Sequence, residues 1–413
     1  MSTFVKKENS HGCVDTPGFR MAGVHCDIRD KKDNRLDLAL IVSERPCTAA
    51  GVFTRNKVAA APVRLDRKVL ARGGPFTAIV ANSGNANACT GTDGMADAAD
   101  MQVEVAARLG CSPESVFVCS TGRIGKRLPM TRIKTGIGEA AAILDHSAEA
   151  GWNAADAILT SDTRRKVCSV VVETSEGNIH ISGMAKGAGM IEPNMATMLA
   201  FICTDAEVEG EDLQAALTAS TETTFNAVTV DGDESTNDTV LVLANGASGV
   251  RMHRGMEEWP AFQAALEAVC GDLARKIVGD GEKITKVVEL IIKGAAGAED
   301  AKLAARAVAN SLLVKSSWYG NDPNWGRVMD ALGYSGADLS EDSVCVWYAD
   351  YSEAEPVPAF QNGRTFPENL ESWRAIVAGK KFRIIADLGR GDASCRVWST
   401  DLTEGYVNFN KSE

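Results

Sequence analysis

The chain has 413 residues, 45% of them hydrophobic and 24% charged, which is the composition of an ordinary globular protein long enough for two or three domains or one large one. Its net charge of −12 and pI near 5.1 argue against a nucleic-acid or anionic-membrane partner, since phosphate backbones reward clustered Lys and Arg. No stretch approaches the roughly 20 apolar residues of a membrane span, and no apolar run follows the two N-terminal lysines, so the expected compartment is the cytosol. The eleven cysteines lie between Cys13 and Cys395 without a CxxC pair, a pattern of scattered reduced thiols.

In chain order, strand character appears at Leu36 to Val42, Phe76 to Asn82, Val167 to Glu173, Asn178 to Ser182, Met198 to Cys203, Thr239 to Ala244, Lys286 to Lys293, Val344 to Tyr348 and Phe382 to Asp387. Helical periodicity appears at Ala96 to Leu109, Asp212 to Thr224, Glu257 to Ile277, with Pro260 in its first turn, and Ala301 to Ser311. The link Thr174-Ser-Glu-Gly177 has hairpin length, so part of the sheet should be antiparallel, which counts against a doubly wound fold. Strand groups mixed with amphipathic helices predict an α/β or α+β sandwich. The mixed-charge run Arg29 to Arg35 reads as a solvated loop. There is no internal repeat and no evident linker.

The most unusual segment is Lys186-Gly-Ala-Gly-Met-Ile-Glu-Pro-Asn-Met-Ala-Thr-Met-Leu-Ala200, where glycines and a proline lead into an apolar strand. It is not a phosphate loop, because it lacks both the GxGxxG and P-loop spacings and runs into a strand instead of a helix N-terminus. A threonine at a strand start is ordinarily a β-former. The functional alternative is that Thr197 attacks the Ala196 carbonyl in an N-to-O acyl shift and hydrolysis frees its α-amine. That amine is far less basic than a lysine's, so nucleophile and base would share one residue.

Cys119-Ser-Thr-Gly-Arg-Ile-Gly125 resembles a turn or helix entry and offers N–H groups and a hydroxyl to an oxyanion, or simply a Ser/Thr cap. Thr160-Ser-Asp-Thr163, Asp280 to Lys286 and Gly320 to Gly326 each have turn chemistry when taken singly. The five histidines are scattered without HxxxH or HxE spacing, so no metal centre is expected and Ser–His–Asp hydrolysis is disfavoured.

Taken together, these clusters resemble the bifunctional glutamate N-acetyltransferase/ornithine acetyltransferase family, whose nucleophile is a self-cleaving threonine. The resemblance runs nearly end to end, through Ala49 to Thr54 with Asn56, Asn82 to Asn87, Ser120-Thr-Gly122, Thr160 to Thr163, Lys186 to Thr197, Asp231 to Thr239, Asp322 to Arg327 and Asp387 to Asp392. It implies an α/β sandwich of mixed β-sheets flanked by helices, shared with self-processing aminopeptidases of the same superfamily. It also implies a ping-pong reaction in which Thr197 takes acetyl from N-acetylornithine and passes it to glutamate. By position, Thr121 and Gly122 form the oxyanion hole, and Thr160, Lys186, Thr197, Glu282 and Asn410 bind substrate. Lys186 would pair a carboxylate and Glu282 an amino group.

The chain departs from the family pattern at two points. Lys283 places a cation beside Glu282 where the family typically has Gly, and the C-terminus stops after Asn410-Lys-Ser-Glu413, leaving only Ser412 near the usual final hydroxyl. The resemblance further implies cleavage between Ala196 and Thr197 into chains 1–196 and 197–413, which are processing products contributing to one core. Two of each would form a heterotetramer. No cofactor is expected. Acetyl-CoA as a further donor stays open, because no CoA motif is present. Two other readings stand beside the transferase: a hydrolase (amidase or aminopeptidase) with the same nucleophile, and a binding protein without catalysis.

Overall fold

The computed structural model describes residues 4–30, 33–192, 198–352 and 355–411 and divides into two units. The first comprises the described residues within 1–187, 194–226 and 234–277, and the second those within 188–193, 227–233 and 278–413.

The first unit runs β1 (Phe4–Lys6), β2 (Phe19–Val24), β3 (Leu38–Phe53), α1 (Ala61–Arg72), β4 (Phe76–Asn82), α2 (Gly91–Leu109), β5 (Val116–Ser120), α3 (Met130–Ala142), α4 (Ala148–Ala157), β6 (Lys166–Thr174), β7 (Gly177–Lys186), β8 (Leu199–Thr204), β9 (Glu207–Val208), α5 (Gly210–Thr223), β10 (Thr239–Ala244), β11 (Arg251–Met252) and α6 (Trp259–Val278). Nine strands form one mixed sheet in the order β1-β6-β7-β8-β10-β3-β4-β5, with β2 paired to β3. The β6–β7 hairpin is antiparallel, as expected, but its pairing extends to Thr174↔Gly177, so the link is Ser175-Glu176 and two residues shorter than the sequence suggests.

β3 explains how one sheet becomes two layers. Leu38 to Ser43 are buried and pair mainly with β2 and β4, Glu44 to Pro46 are exposed, and Thr48 to Phe53 pair with β10. Pro46 has no N–H to donate, so it sits where the strand changes partners. Alternate side chains of the two layers then meet. Ala39, Ile41, Ile79 and Phe117 share one core with Leu199, Phe201, Cys203, Leu241 and Leu243. The opposite faces of β2 to β5 present Leu38, Leu40, Val80 and Val118 to Met101 and Val105 of α2 and to Ile133 and Ile137 of α3. Strand period 2 thus sends each strand's residues to two different cores. β8 and β10 are buried at every position, because both their faces are covered.

The second unit runs β12 (Val287–Ala295), α7 (Ala298–Asn310), α8 (Leu312–Tyr319), α9 (Trp325–Gly333), β13 (Cys345–Ala349), β14 (Val357–Gln361), β15 (Arg364–Thr365), α10 (Leu370–Val377), β16 (Lys381–Asp387), β17 (Ala393–Thr400) and α11 (Glu404–Phe409). Its six-stranded mixed sheet has the order β15-β14-β13-β16-β12-β17. Val288, Leu290 and Ile292 of β12 pack with Ala301, Ala305 and Val308 of α7 and with Trp318 of α8. The fold class is α/β with mixed sheets flanked by helices.

Candidate active site

Ala196 and Thr197 lie outside the described residues, as does Ser412. The site is therefore built from the residues on either side.

In the first unit, β8 and β10 run parallel in the register Leu199↔Thr239, which puts Met198 and Asp238 at neighbouring strand starts. Asp238 Oδ1 accepts the Met198 N–H at 2.9 Å. The preceding residue, Asn237, donates through Nδ2 to the carbonyls of both Ala86 (2.7 Å) and Ser120 (2.8 Å). One side chain thereby fastens the loop after β4 and the end of β5 to the start of β10.

Those two segments cross closely. Gly122 has φ +131°, and a Cβ there would lie 2.3 Å from the Gly84 carbonyl carbon, so only glycine fits. The Thr121 N–H is already committed to Asn82 O at 2.9 Å. Among the described residues, neither the Thr121 hydroxyl nor the Gly122 N–H has a hydrogen-bond partner, so the pair available to an oxyanion is one hydroxyl and one amide. The Asn82 to Asn87 motif builds this loop from inside. Asn82 bonds Asn85 O and the Ser120 hydroxyl, Asn85 bonds Arg127 O, and Asn87 bonds Gly94 O. After β5 ends at Ser120, Thr121 and Arg123 bridge to Asn85 and no helix follows until α3 begins at Met130, so the helix-entry reading of Cys119 to Gly125 is corrected.

Asp162 brings Thr160 and Lys186 into one network. Its Oδ2 accepts the Thr160 N–H at 3.0 Å, and its Oδ1 accepts the Gly187 N–H at 2.7 Å and the Lys166 ammonium at 2.6 Å. The Asp162 and Lys166 side chains have no exposed surface. Burial alone would raise the Asp162 pKa, but the Lys186 and Lys166 ammonium groups hold it well below the usual carboxylate range. Lys186 itself is buried at the end of β7. The Arg29 to Arg35 run is more than a solvated loop, because Arg29 donates to Leu159 O at 2.8 Å and Arg35 to Thr160 O at 3.2 Å.

Glu282 and Asn410 belong to the second unit. The Glu282 N–H bonds Ala188 O at 2.9 Å, and its carboxylate lies so close to Gly189 that a Cβ there would be 2.4 Å from it. Asp231 stands in the same unit, accepting the N–H groups of Met190 and Ile191 and the Tyr406 hydroxyl. Burial, Asp231 and Glu282 together push the Tyr406 hydroxyl pKa upward. Glu192 is buried and receives Thr229, Asn310 and Arg306, which anchors the chain just before Pro193. Lys283 sits at φ +53° with its ammonium 5.3 Å from the Phe409 ring centre. Asn410 is exposed and its side chain donates to Tyr406 O of its own helix.

Sequence reasoning found Thr121, Gly122, Thr160, Lys186 and Glu282 but assigned no role to Asn237, Asp238, Asp162, Asp231 or Tyr406. The first four of these lie inside quoted motifs. The partners of Asn237, Asp238 and Asp231 are tens of residues away, and Asp162 joins its neighbours Thr160 and Lys166 to the distant Gly187, so spacing alone carried no signal of what they hold.

The ArgJ family matches residues 20–412. The chain is 47% identical over 410 residues to the arginine biosynthesis bifunctional protein ArgJ of Symbiobacterium thermophilum, covering 97% of this chain and 98% of that one. It is 43% identical over 407 residues to the glutamate N-acetyltransferase of Methanocaldococcus jannaschii, covering 97% and 96%. A solved ornithine acetyltransferase from Mycobacterium tuberculosis, complexed with ornithine, is 37% identical over 48% of this chain and 100% of its own, with a TM-score of 0.43. The chain belongs to the ArgJ family.

Proposed function

We propose that the chain is a glutamate N-acetyltransferase of arginine biosynthesis that moves acetyl from N2-acetylornithine to glutamate through an acetyl-Thr197 ester. The observation that carries this reading is the uncommitted Thr121 hydroxyl and Gly122 N–H, held by Asn237 against the strand start that follows Thr197. Relatives 47% and 43% identical over almost their whole length, named for this pathway and this activity, support it.

The chemistry follows from the groups available. The chain is first cut between Ala196 and Thr197, and the freed amine takes the proton from the Thr197 hydroxyl as it attacks the acetyl carbonyl. Thr121 and Gly122 donate to the oxyanion. Lys186 pairs the substrate carboxylate, with Thr160 beside it on the Asp162 network. Glu282 takes the substrate amino group, and Asn410 adds a polar contact. Ornithine leaves, glutamate enters, and the same groups run in reverse. Chains 1–196 and 197–413 stay associated, two of each forming a heterotetramer in the cytosol. Acetyl-CoA is a further candidate donor.

Product analysis tests the reading against hydrolysis. N-acetylornithine with glutamate should yield N-acetylglutamate and ornithine. If N-acetylornithine alone gives acetate and ornithine at the same rate, and added glutamate is not acetylated, the chain is a hydrolase. If neither mixture reacts, it is a binding protein.

A further inference from the structure

Asp238 is fully buried, and its Oδ2 is sealed from solvent with no hydrogen-bond partner among the described residues. An unpaired buried carboxylate oxygen is costly, so its presence calls for a role. The carboxylate cannot swing out to water. Its Oδ1 is held by the Met198 N–H, its own backbone carbonyl accepts the Thr54 N–H at 2.9 Å, and the next residue, Thr239, donates to Met198 O at 3.1 Å. Met198 N is the amide nitrogen joined to the Thr197 carbonyl. Only a few covalent bonds therefore separate the atom that Asp238 grips from the Thr197 nitrogen and hydroxyl.

We propose that Asp238 carries the proton between the hydroxyl and the nitrogen of Thr197 during self-cleavage. The proposal rests on the reading of Thr197 as the cleaving nucleophile. As the bond from Thr197 Oγ1 to the Ala196 carbonyl carbon forms, the Asp238 carboxylate takes the hydroxyl proton. As the bond from that carbon to the Thr197 nitrogen breaks, Asp238 gives the proton to the nitrogen. The products are an ester on Ala196 and a neutral amine, with Asp238 restored, and water then hydrolyses the ester. No outside acid or base is consumed in the acyl shift.

The surroundings suit such a carrier. Burial pushes the Asp238 pKa well above the usual carboxylate range, and Glu234 adds to this. The Met198 N–H and the Lys186 ammonium pull the other way. Lys186 is itself balanced by Asp162. Cleavage should accelerate as pH rises through the Asp238 titration, because only the ionised form accepts the proton. Acetyl transfer in the cleaved enzyme uses the free amine as base and should depend on Asp238 far less.

The test is the time course of cleavage across pH, followed by intact mass of the purified full chain, for wild type, Asp238→Asn, Asp238→Glu and Thr197→Ala. Asn keeps an oxygen for the Met198 N–H but cannot carry a proton. Asp238→Asn should cleave about 100-fold more slowly and lose the pH-dependent limb, with an unchanged unfolding midpoint, while Asp238→Glu restores a limb at a shifted pH. Wild-type cleavage rate and pH profile in Asp238→Asn would overturn the proposal. If Asp238→Asn does not fold, Asp238→Glu decides: a shifted limb supports the proposal and pH-independent cleavage refutes it. An uncleaved wild-type chain instead sinks the underlying reading of Thr197, an outcome visible without any Asp238 variant.

Discussion

Replacing Thr121 by Val isolates one oxyanion donor. The swap keeps the branched shape, and the Thr121 N–H bond to Asn82 O survives because it belongs to the backbone. The hydroxyl has no hydrogen-bond partner among the described residues, so no existing bond is lost and the unfolding midpoint should hold within error. Transition-state stabilisation does change: one donor of this kind is worth about 2.7–4 kcal/mol, or roughly 10²–10³ in kcat. Steady-state transfer from N-acetylornithine to glutamate, normalised to the cleaved fraction, reads this directly. Self-cleavage should slow as well, since the Ala196 carbonyl develops the same oxyanion. A kcat within about threefold of wild type, at full cleavage, refutes the assignment.

Three further outcomes follow from the same geometry. Gly122→Ala forces a Cβ to 2.3 Å from the Gly84 backbone at φ +131°, so it should lower stability by at least ~1–3 kcal/mol in denaturant unfolding and depress kcat with it. Asp162→Asn removes the buried carboxylate that pairs with Lys166 and should cost about 3–5 kcal/mol. The Asp162 pKa is lowered on folding, so its stabilisation is present above the ordinary aspartate range and is lost as pH falls below it. Wild type should therefore lose stability in acid more steeply than the variant, and parallel pH curves would contradict this. Glu282→Gln should raise KM for N-acetylornithine about 10- to 100-fold, the size of a lost charge-assisted bond, with a smaller effect on glutamate. Equal, small changes for both substrates would remove Glu282 from the amine site.

Most strands were legible because their apolar runs are short and bounded. Phe76–Asn82 and Thr239–Ala244 have the ends that the sequence suggests. What the sequence hid has physical reasons. β3 reads as a strand of seven residues because Glu44-Arg-Pro46 is polar, although the strand continues to Phe53 in another layer. β2, with a glycine and an alanine in Phe19–Val24, lacks a strong strand signal and is held by β3 instead. α3 and α4 are rich in Ala and Gly, so their buried stripes are weakly apolar.

At the site, the reactive types at Thr121, Gly122, Lys186 and Glu282 could be picked out, but the braces could not. Asn237 acts on Ala86 and Ser120, and Asp238 on Met198, through contacts that only the sheet order creates. Lys283, the cation that departs from the family pattern beside Glu282, carries its ammonium over Phe409.

The central claim is that Thr197 is both the agent of cleavage and the carrier of acetyl, and one mass measurement addresses both halves. The purified wild-type protein should appear as two fragments, one ending at Ala196 and one beginning at Thr197. Brief exposure to N-acetylornithine without glutamate should add the mass of one acetyl group to the second fragment, and glutamate should remove it. Thr197→Ala should stay a single chain that takes up no acetyl. An intact Thr197→Ala chain that transfers acetyl at the wild-type rate would contradict the account.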